Sequence, residues 1–135
     1  MAEIRGIRNN NPFNIKRSSS RWLGKVPFKD STDSTFEQFT DIDYGLRAGF
    51  ILLRNYIKRG DNTYRKIITR FAPSSENDVD SYLSYLSDDF NWDPDCVIKF
   101  RSIYFFHLVV KMCFYESHYL LSFDKYFTIL HKFHL

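Results

Sequence analysis

The chain has 135 residues, 44% of them hydrophobic and 19% aromatic, which excludes a disordered chain and predicts one domain with its own core. Five glycines and four prolines exclude collagen-like and low-complexity architectures. Nineteen Lys and Arg against 16 Asp and Glu leave a net charge of +3, which favours anionic partners without choosing among nucleic acid, lipid headgroups and acidic cell-wall polymers.

The first 43 residues are rich in Asn, Ser, Asp and Thr and show no sustained helical period. They predict a lobe of loops with short strands, including a small hairpin between Trp22 and Phe39, for which Ser and Asp residues supply the turn chemistry. The opening residues are charged and have no apolar central stretch, so no signal peptide is expected and synthesis in the cytoplasm is predicted.

The pattern changes to that of a helix at Asp43. Asp43 is a candidate N-cap, and Gly60 supplies a left-handed stop at the other end. The apolar residues between them recur at the spacing of one helical face. These residues are Leu46, Phe50, Leu53 and Ile57.

Two further helices are predicted in the middle of the chain. One extends from about residue 62 to Phe71 and is ended by the restriction that Pro73 places on the residue before it. The other is capped by Asn77 or Asp78 and continues to Leu86. The inward residues are Ile67, Ile68 and Phe71 in the first helix, and Val79, Tyr82, Leu83 and Leu86 in the second.

The last third of the chain predicts two more helical stretches. Asp93 and Pro94 resemble an N-cap followed by a first-turn proline, and they open a stretch, broken or continuous, that leads to Glu116. Ser122 is expected to cap a last helix with Phe123, Phe127, Leu130 and His134 on one face. The whole predicts a mainly α (α+β) fold: a single domain of about five helices at residues 44–135 with a small strand and loop lobe at residues 1–43.

The chain has four glutamates: Glu3, Glu37, Glu76 and Glu116. Glu3 lies near the terminus and Glu37 in a predicted strand, where a carboxylate that faces solvent is the ordinary explanation. Glu116 follows one of the most apolar stretches of the chain, so it is expected to be partly desolvated and to hold a proton near neutral pH, as a general acid must. The alternative is an exposed glutamate at a helix end. Glu76 stands just before a helix, where a carboxylate favours the positive end of the helix dipole.

No cofactor and no metal are expected. The four histidines occur without a zinc-binding pattern or a cluster of carboxylates, and no glycine-rich phosphate loop is present. No basic stripe or helix-turn-helix pattern favours nucleic acid as a partner. The most apolar run, at residues 103–115, is too short to span about 30 Å of hydrocarbon.

Several motifs together resemble one known family. They are RGIRNNNPFNIK at residues 5–16, Trp22-Leu23-Gly24, FEQF at residues 36–39, YGLRAGFILLRNYI from Tyr44, and ITRFAPSSENDVDSYLSYL from Ile68. This set resembles small phage, prophage and mobile-element proteins that are labelled virion or structural proteins. The sequence departs from that family at Phe71, where Trp is usual, and at Glu116-Ser117-His118, where Glu-Asn-Gly is usual.

A more remote resemblance concerns mechanism. The string NNNPFNIK, followed by Trp22-x-Gly24 and a Phe-rich segment, is similar to a stretch of the flagellar and autolysin N-acetylglucosaminidases, glycoside hydrolase family 73. In those enzymes the general acid is the glutamate of a Glu-Ser-Gly segment that precedes these motifs. Because Glu116 follows them here, the resemblance implies a lysozyme-like fold in circularly permuted order.

The resemblance implies cleavage of peptidoglycan glycan strands, of muramidase, lytic transglycosylase or N-acetylglucosaminidase type. Glu116 is the expected general acid and Glu76 an available second carboxylate, with Glu37 as another glutamate that could serve. The expected sugar contacts are the amides of Asn9, Asn10, Asn11 and Asn14 and the ring of Trp22. The alternative is that the asparagines stabilise loop geometry and that Trp22 belongs to the core.

A second function remains open: a non-catalytic virion or interaction protein that binds glycan or a protein partner on the same scaffold. In either case a chain without a signal peptide acts at the cell wall only if a phage or a secretion apparatus delivers it. The type of bond cleaved, the product and the oligomeric state are left open by the sequence.

Overall fold

A computed structural model of the chain describes residues 3–72, 78–87 and 93–135. The described residues form six α-helices and are mainly helical, as the sequence predicts. None of these helices is long and apolar enough to cross a membrane. The helices are α1 (Arg5–Arg8), α2 (Ile42–Lys58), α3 (Tyr64–Phe71), α4 (Val79–Leu86), α5 (Ile103–Ser117) and α6 (Phe123–Lys132).

The N-terminal segment has less regular structure than a hairpin. It contains the one-turn helix α1, which the sequence did not predict, and two isolated antiparallel bridges, Lys16 with Phe36 and Lys25 with Phe39. Hydrogen bonds from side chains take the place of the backbone hydrogen bonds that would join the strands of a hairpin. The ammonium of Lys25, for example, donates to the carbonyls of Ser18 and Ser20. Turns held by polar side chains therefore take the place of the predicted hairpin.

Helix α2 begins at Ile42, two residues before the start that an N-cap at Asp43 implies, so the predicted cap at Asp43 is wrong. The side chain of Asp41 accepts a hydrogen bond from the backbone N–H of Asp43 at 2.8 Å, so Asp41 caps the helix and Asp43 lies in its first turn. Asp43 accepts instead from the ammonium groups of Lys125 at 2.6 Å and Lys132 at 3.0 Å. At the other end Gly60 has φ +96°, and the predicted left-handed stop is confirmed.

Helices α3 and α4 lie where the sequence predicts them. The side chain of Thr63 caps α3 by accepting from the N–H of Lys66, and that of Asp78 caps α4 by accepting from the N–H of Ser81. The alternative cap Asn77 and the predicted helix stop Pro73 lie outside the described residues. Phe71 and Val79 are half-buried. The other five residues expected to face inward are buried: Ile67, Ile68, Tyr82, Leu83 and Leu86.

The predictions for the last third are partly wrong. Asp93 stabilises a turn, with its side chain accepting from the N–H of Asp95, and helix α5 begins only at Ile103. Ser122 caps α6 as predicted. The buried face of α6 is Tyr126, Ile129 and Leu130, whereas Phe123, Phe127 and His134 are exposed, so three of the four residues expected to face inward point to solvent.

The chain divides into two compact units. The first comprises Met1–Ile51 and Met112–Leu135, and the second Leu52–Lys111, so that α2 and α5 each contribute residues to both. In the first unit the edge of the Phe13 ring packs against Phe50, and Phe50 contacts Tyr126. In the second unit α3 and α4 pack together, with a core that includes Tyr64, Ile67, Ile68, Tyr82, Leu86, Phe105 and Leu108.

Candidate functional site

The asparagine-rich motif at residues 9–14 lies directly against helix α2. A β-carbon at Gly45 would collide with the backbone carbonyl of Asn10, and one at Gly49 would collide with the ring of Phe13. Both glycines lie on one face of α2, since they are four residues apart. Their missing side chains therefore provide the space in which the motif packs.

Asn9 and Asn11 are fully buried and have internal partners. The amide of Asn11 donates to the carbonyls of Ile15 at 3.0 Å and Glu37 at 2.9 Å, and its oxygen accepts from the N–H of Ile15. The amide of Asn9 donates to the carboxylate of Asp33 at 2.8 Å. Both side chains are thus engaged in internal hydrogen bonds, the kind of contact that the alternative interpretation of the sequence describes.

Asp33 links the asparagine-rich motif to Arg5 and to its own loop. Its carboxylate accepts two hydrogen bonds from the guanidinium of Arg5, at 2.6 and 2.9 Å, and one each from the backbone N–H groups of Thr35 and Phe36, both at 2.9 Å. The hydrogen bonds from Arg5 hold the pKa of the Asp33 carboxyl well below its usual range, and they outweigh the opposing effect of burial. Sequence reasoning missed this residue, although an Asp-Ser-Thr turn is a known setting for side-chain to backbone bonds.

The end of helix α5 packs against the same motif. Ser117 is fully buried, and its hydroxyl oxygen lies 2.8 Å from the carbonyl of Pro12 and 3.0 Å from that of Cys113, to either of which it can donate. The amide of Asn14 donates to the backbone carbonyl of Glu116 at 2.7 Å. The structure thus brings together two predicted site residues, Asn14 and Glu116, that are 102 positions apart in the sequence.

The side chain of Glu116 is half-buried. It shares a helical face with Met112 and Cys113, one turn earlier, and both of these residues are fully buried. Burial raises the pKa of the Cys113 thiol well above its usual value, and the negative charge of Glu116 contributes in the same direction, because the carboxylate lies near the thiol. Glu116 therefore lies at the edge of the core.

The remaining predicted residues occupy different settings. Asn10 has φ 52°, and its amide donates to the carbonyl of Phe39 at 3.0 Å. Trp22 is half-buried, and its indole nitrogen is buried without a hydrogen-bond partner among the described residues. Glu37 is buried and paired with Lys25 at 2.9 Å, which makes it part of the loop structure. Glu76 lies outside the described residues.

Known proteins give one informative similarity. No protein-family profile matches the chain. The chain is 41% identical over 88 residues to Protein P5 of Pseudoalteromonas phage PM2, and the match covers 62% of this chain. It covers 54% of Protein P5, so the chain spans about half the length of that relative. The similarity is to a phage protein, in agreement with the phage association that the sequence predicts.

The geometry limits what the site can do chemically. Among residues 3–72, 78–87 and 93–135, no group of three or more His, Cys, Asp and Glu side chains is placed to hold a metal ion. What the site does offer is a half-buried glutamate at a helix end and the amide of Asn14, which is bonded to the backbone carbonyl of that glutamate.

Proposed function

We propose that the chain cleaves the glycan strands of peptidoglycan, with Glu116 as the general acid. The observation that carries the proposal is the 2.7 Å hydrogen bond from Asn14 to the carbonyl of Glu116, which ties the amide-rich motif to the acid-bearing end of α5. Amide groups match the N-acetyl and hydroxyl groups of amino sugars, and a carboxyl beside them is where glycosidic bonds are protonated.

In this proposal Glu116 acts in its protonated form. It gives its proton to the glycosidic oxygen as the bond to the anomeric carbon breaks, and positive charge develops on the sugar that keeps this carbon. The half-buried position of Glu116 above Met112 and Cys113 supports the role, since partial desolvation favours the neutral form of a carboxyl at the pH of the reaction. Asn10 and the half-buried ring of Trp22 are the proposed sugar contacts, and Asn9 and Asn11 are not used.

The test is clearing of purified peptidoglycan by the wild-type chain and by Glu116→Gln. The variant keeps the size of the side chain and removes the proton that can be donated, so we expect activity to fall about 100-fold or more. Glu3→Gln is the matched control, because Glu3 is exposed and belongs to no described part of the site. Equal clearing by Glu116→Gln and the wild-type chain would refute the assignment.

Glu76 stays a predicted second carboxylate, and Glu76→Gln in the same assay tests it. A strong loss of activity would support a mechanism with two carboxylates, whereas full activity would favour one in which the acetamido group of the substrate supplies the second function. Analysis of the products then separates hydrolysis from formation of an anhydro sugar. Action at the cell wall also requires delivery by a phage or a secretion apparatus.

A second candidate function is a non-catalytic phage protein that binds glycan or a protein partner. Exposed aromatic side chains near the end of α5 and on α6 favour it, since Phe114, Phe123 and Phe127 expose 39%, 55% and 44% of their surface. Such rings are common at contact surfaces. This function predicts that the wild-type chain sediments with insoluble peptidoglycan, or with a virion component, and clears nothing.

A further inference from the structure

The backbone carbonyls at the end of α5 accept hydrogen bonds from two kinds of donor. The last carbonyls of a helix lack partners within the helix and need donors from elsewhere. The carbonyl of Phe114 accepts from the N–H of His118 at 2.9 Å, and that of Cys113 accepts from the N–H of Tyr119 at 3.3 Å. For Glu116 the donor is a side chain from the other end of the chain, the amide of Asn14 at 2.7 Å.

Asn14 is itself held in one orientation. Its φ is 51°, a left-handed conformation that asparagine tolerates better than most residues. A β-carbon at Gly6 would lie 3.0 Å from the Oδ1 atom of Asn14 and 2.5 Å from the β-carbon of Ser117, so α1 closes over this contact. Rotating the amide by half a turn would place Oδ1 against the carbonyl of Glu116, where two acceptors would repel each other.

The Oδ1 atom of Asn14 is buried and has no hydrogen-bond partner among the described residues. An unpaired buried acceptor lowers stability, and an apolar side chain at position 14 would avoid that loss. The polar side chain is therefore in a costly position, which the left-handed backbone and the donated hydrogen bond to Glu116 together explain. The donor amide is directed at the residue that carries the proposed acid.

We infer that Asn14 is a positioning residue, which fixes the peptide of Glu116 and thereby directs the carboxyl of Glu116 at the substrate. The inference rests on the proposed function of Glu116 and reassigns Asn14, which the sequence predicts as a sugar contact. Without this donor the peptide of Glu116 loses its bond to the asparagine motif, and we expect the direction of the carboxyl to be less well defined, although the bonds from His118 and Tyr119 to earlier carbonyls remain. Errors of about 1 Å in the placement of a catalytic group lower rates up to about 100-fold.

The test compares two matched variants, Asn14→Gly and Asn10→Gly. Both residues are asparagines with positive φ whose amides donate to a backbone carbonyl, but the amide of Asn10 reaches Phe39 instead of Glu116. Glycine keeps the left-handed backbone without strain in each case. The readout is the pH titration of the Glu116 carboxyl carbon by NMR with labelled glutamate, without substrate, assigned through Glu116→Gln.

We expect Asn14→Gly to change the chemical shift and the titration midpoint of Glu116, by about 0.3 pH unit or more, and Asn10→Gly to leave both in place. On peptidoglycan fragments we expect Asn14→Gly to lower kcat about 10-fold or more, with KM changed less than about 3-fold. If Asn14→Gly does not fold, Asn14→Ala replaces it, because it also removes the donor amide and adds no charge near Glu116.

The two outcomes can be told apart. A wild-type chain that clears no peptidoglycan overturns the proposed function, while the NMR comparison still decides the role of Asn14. A titration of Glu116 that moves no more in Asn14→Gly or Asn14→Ala than in Asn10→Gly overturns the inference. A fall in kcat/KM that comes entirely from KM also overturns it, since it would return Asn14 to substrate binding.

Discussion

Replacing Asp33 by asparagine tests how firmly the N-terminal motif is anchored. The carboxylate, whose side chain is 1% exposed, accepts from Arg5, Asn9 and the N–H groups of Thr35 and Phe36. Asparagine has the same shape but keeps only one acceptor oxygen. In place of the other oxygen it has an NH₂ group, which faces these donors. Because Arg5 remains 46% exposed, its charge stays solvated in the variant, and the loss is that of the charged acceptor alone.

The magnitude follows from the pKa of the carboxyl. A buried carboxylate that accepts several N–H bonds has a folded pKa well below its unfolded value, and such a lowering typically contributes about 2.6 kcal/mol to the free energy of unfolding at pH 7. The folded pKa of Asp33 lies below the unfolded one, so this contribution is complete above about pH 5. It is lost, by up to about 1.4 kcal/mol per pH unit, as the pH falls below about 4.

Urea unfolding between pH 3 and pH 7, followed by circular dichroism, measures the effect. We expect the free energy of unfolding of Asp33→Asn to be about 3 kcal/mol below that of the wild-type chain near neutral pH. This difference should become smaller below about pH 4. The control is Asp30→Asn, since Asp30 is exposed in the same loop, and its loss should stay below about 0.5 kcal/mol. If the free energies of unfolding of Asp33→Asn and the wild-type chain differ by the same amount at all these pH values, the electrostatic reasoning is refuted.

Two further substitutions test packing and pairing within the first unit. Gly45→Ala places a methyl group against the rigid carbonyl of Asn10, so we expect thermal and urea unfolding to show a loss of about 2–3 kcal/mol, and a loss below about 0.5 kcal/mol would contradict the packing. Asp43→Asn removes the negative charge that pairs with Lys125 and Lys132 and should lower the free energy of unfolding by about 1–2 kcal/mol. An unchanged free energy of unfolding at low salt would contradict this role of the charge.

Helix positions were predictable where local chemistry decides them. Thr63, Asp78 and Ser122 each cap a helix through their own side chain, and Gly60 adopts the left-handed conformation that it was expected to adopt. These features depend on neighbouring residues only, so a single sequence contains the information. Asp93 has the same kind of side chain but caps a turn, because no helix continues from it.

The face of α6 and the roles of the asparagines could not be predicted in the same way. Phe123 and Phe127 are apolar and correctly spaced, yet Tyr126 and Ile129 are the buried residues, because burial depends on what packs against the helix. Likewise the sequence offers four similar amides, and only tertiary contacts distinguish the fully buried Asn11 from Asn14 at the end of α5. Periodicity identifies a helix more readily than it identifies its environment.

The contacts of the motif explain why one short segment carries both structure and the proposed chemistry. Asn9 and Asn11 bond to the loop at residues 33–37, and Asn14 bonds to α5, so the motif connects the polar loops to the helix that bears Glu116. A glycan enzyme needs this connection, because sugar contacts and acid must be held within fractions of an ångström of each other. A purely structural protein needs only the hydrogen bonds that the buried residues Asn9 and Asn11 make. Substitutions at Asn9 and Asn11 should therefore act first on stability, whereas those at Asn14 should act first on Glu116, and a motif that showed no such division would favour the non-catalytic function.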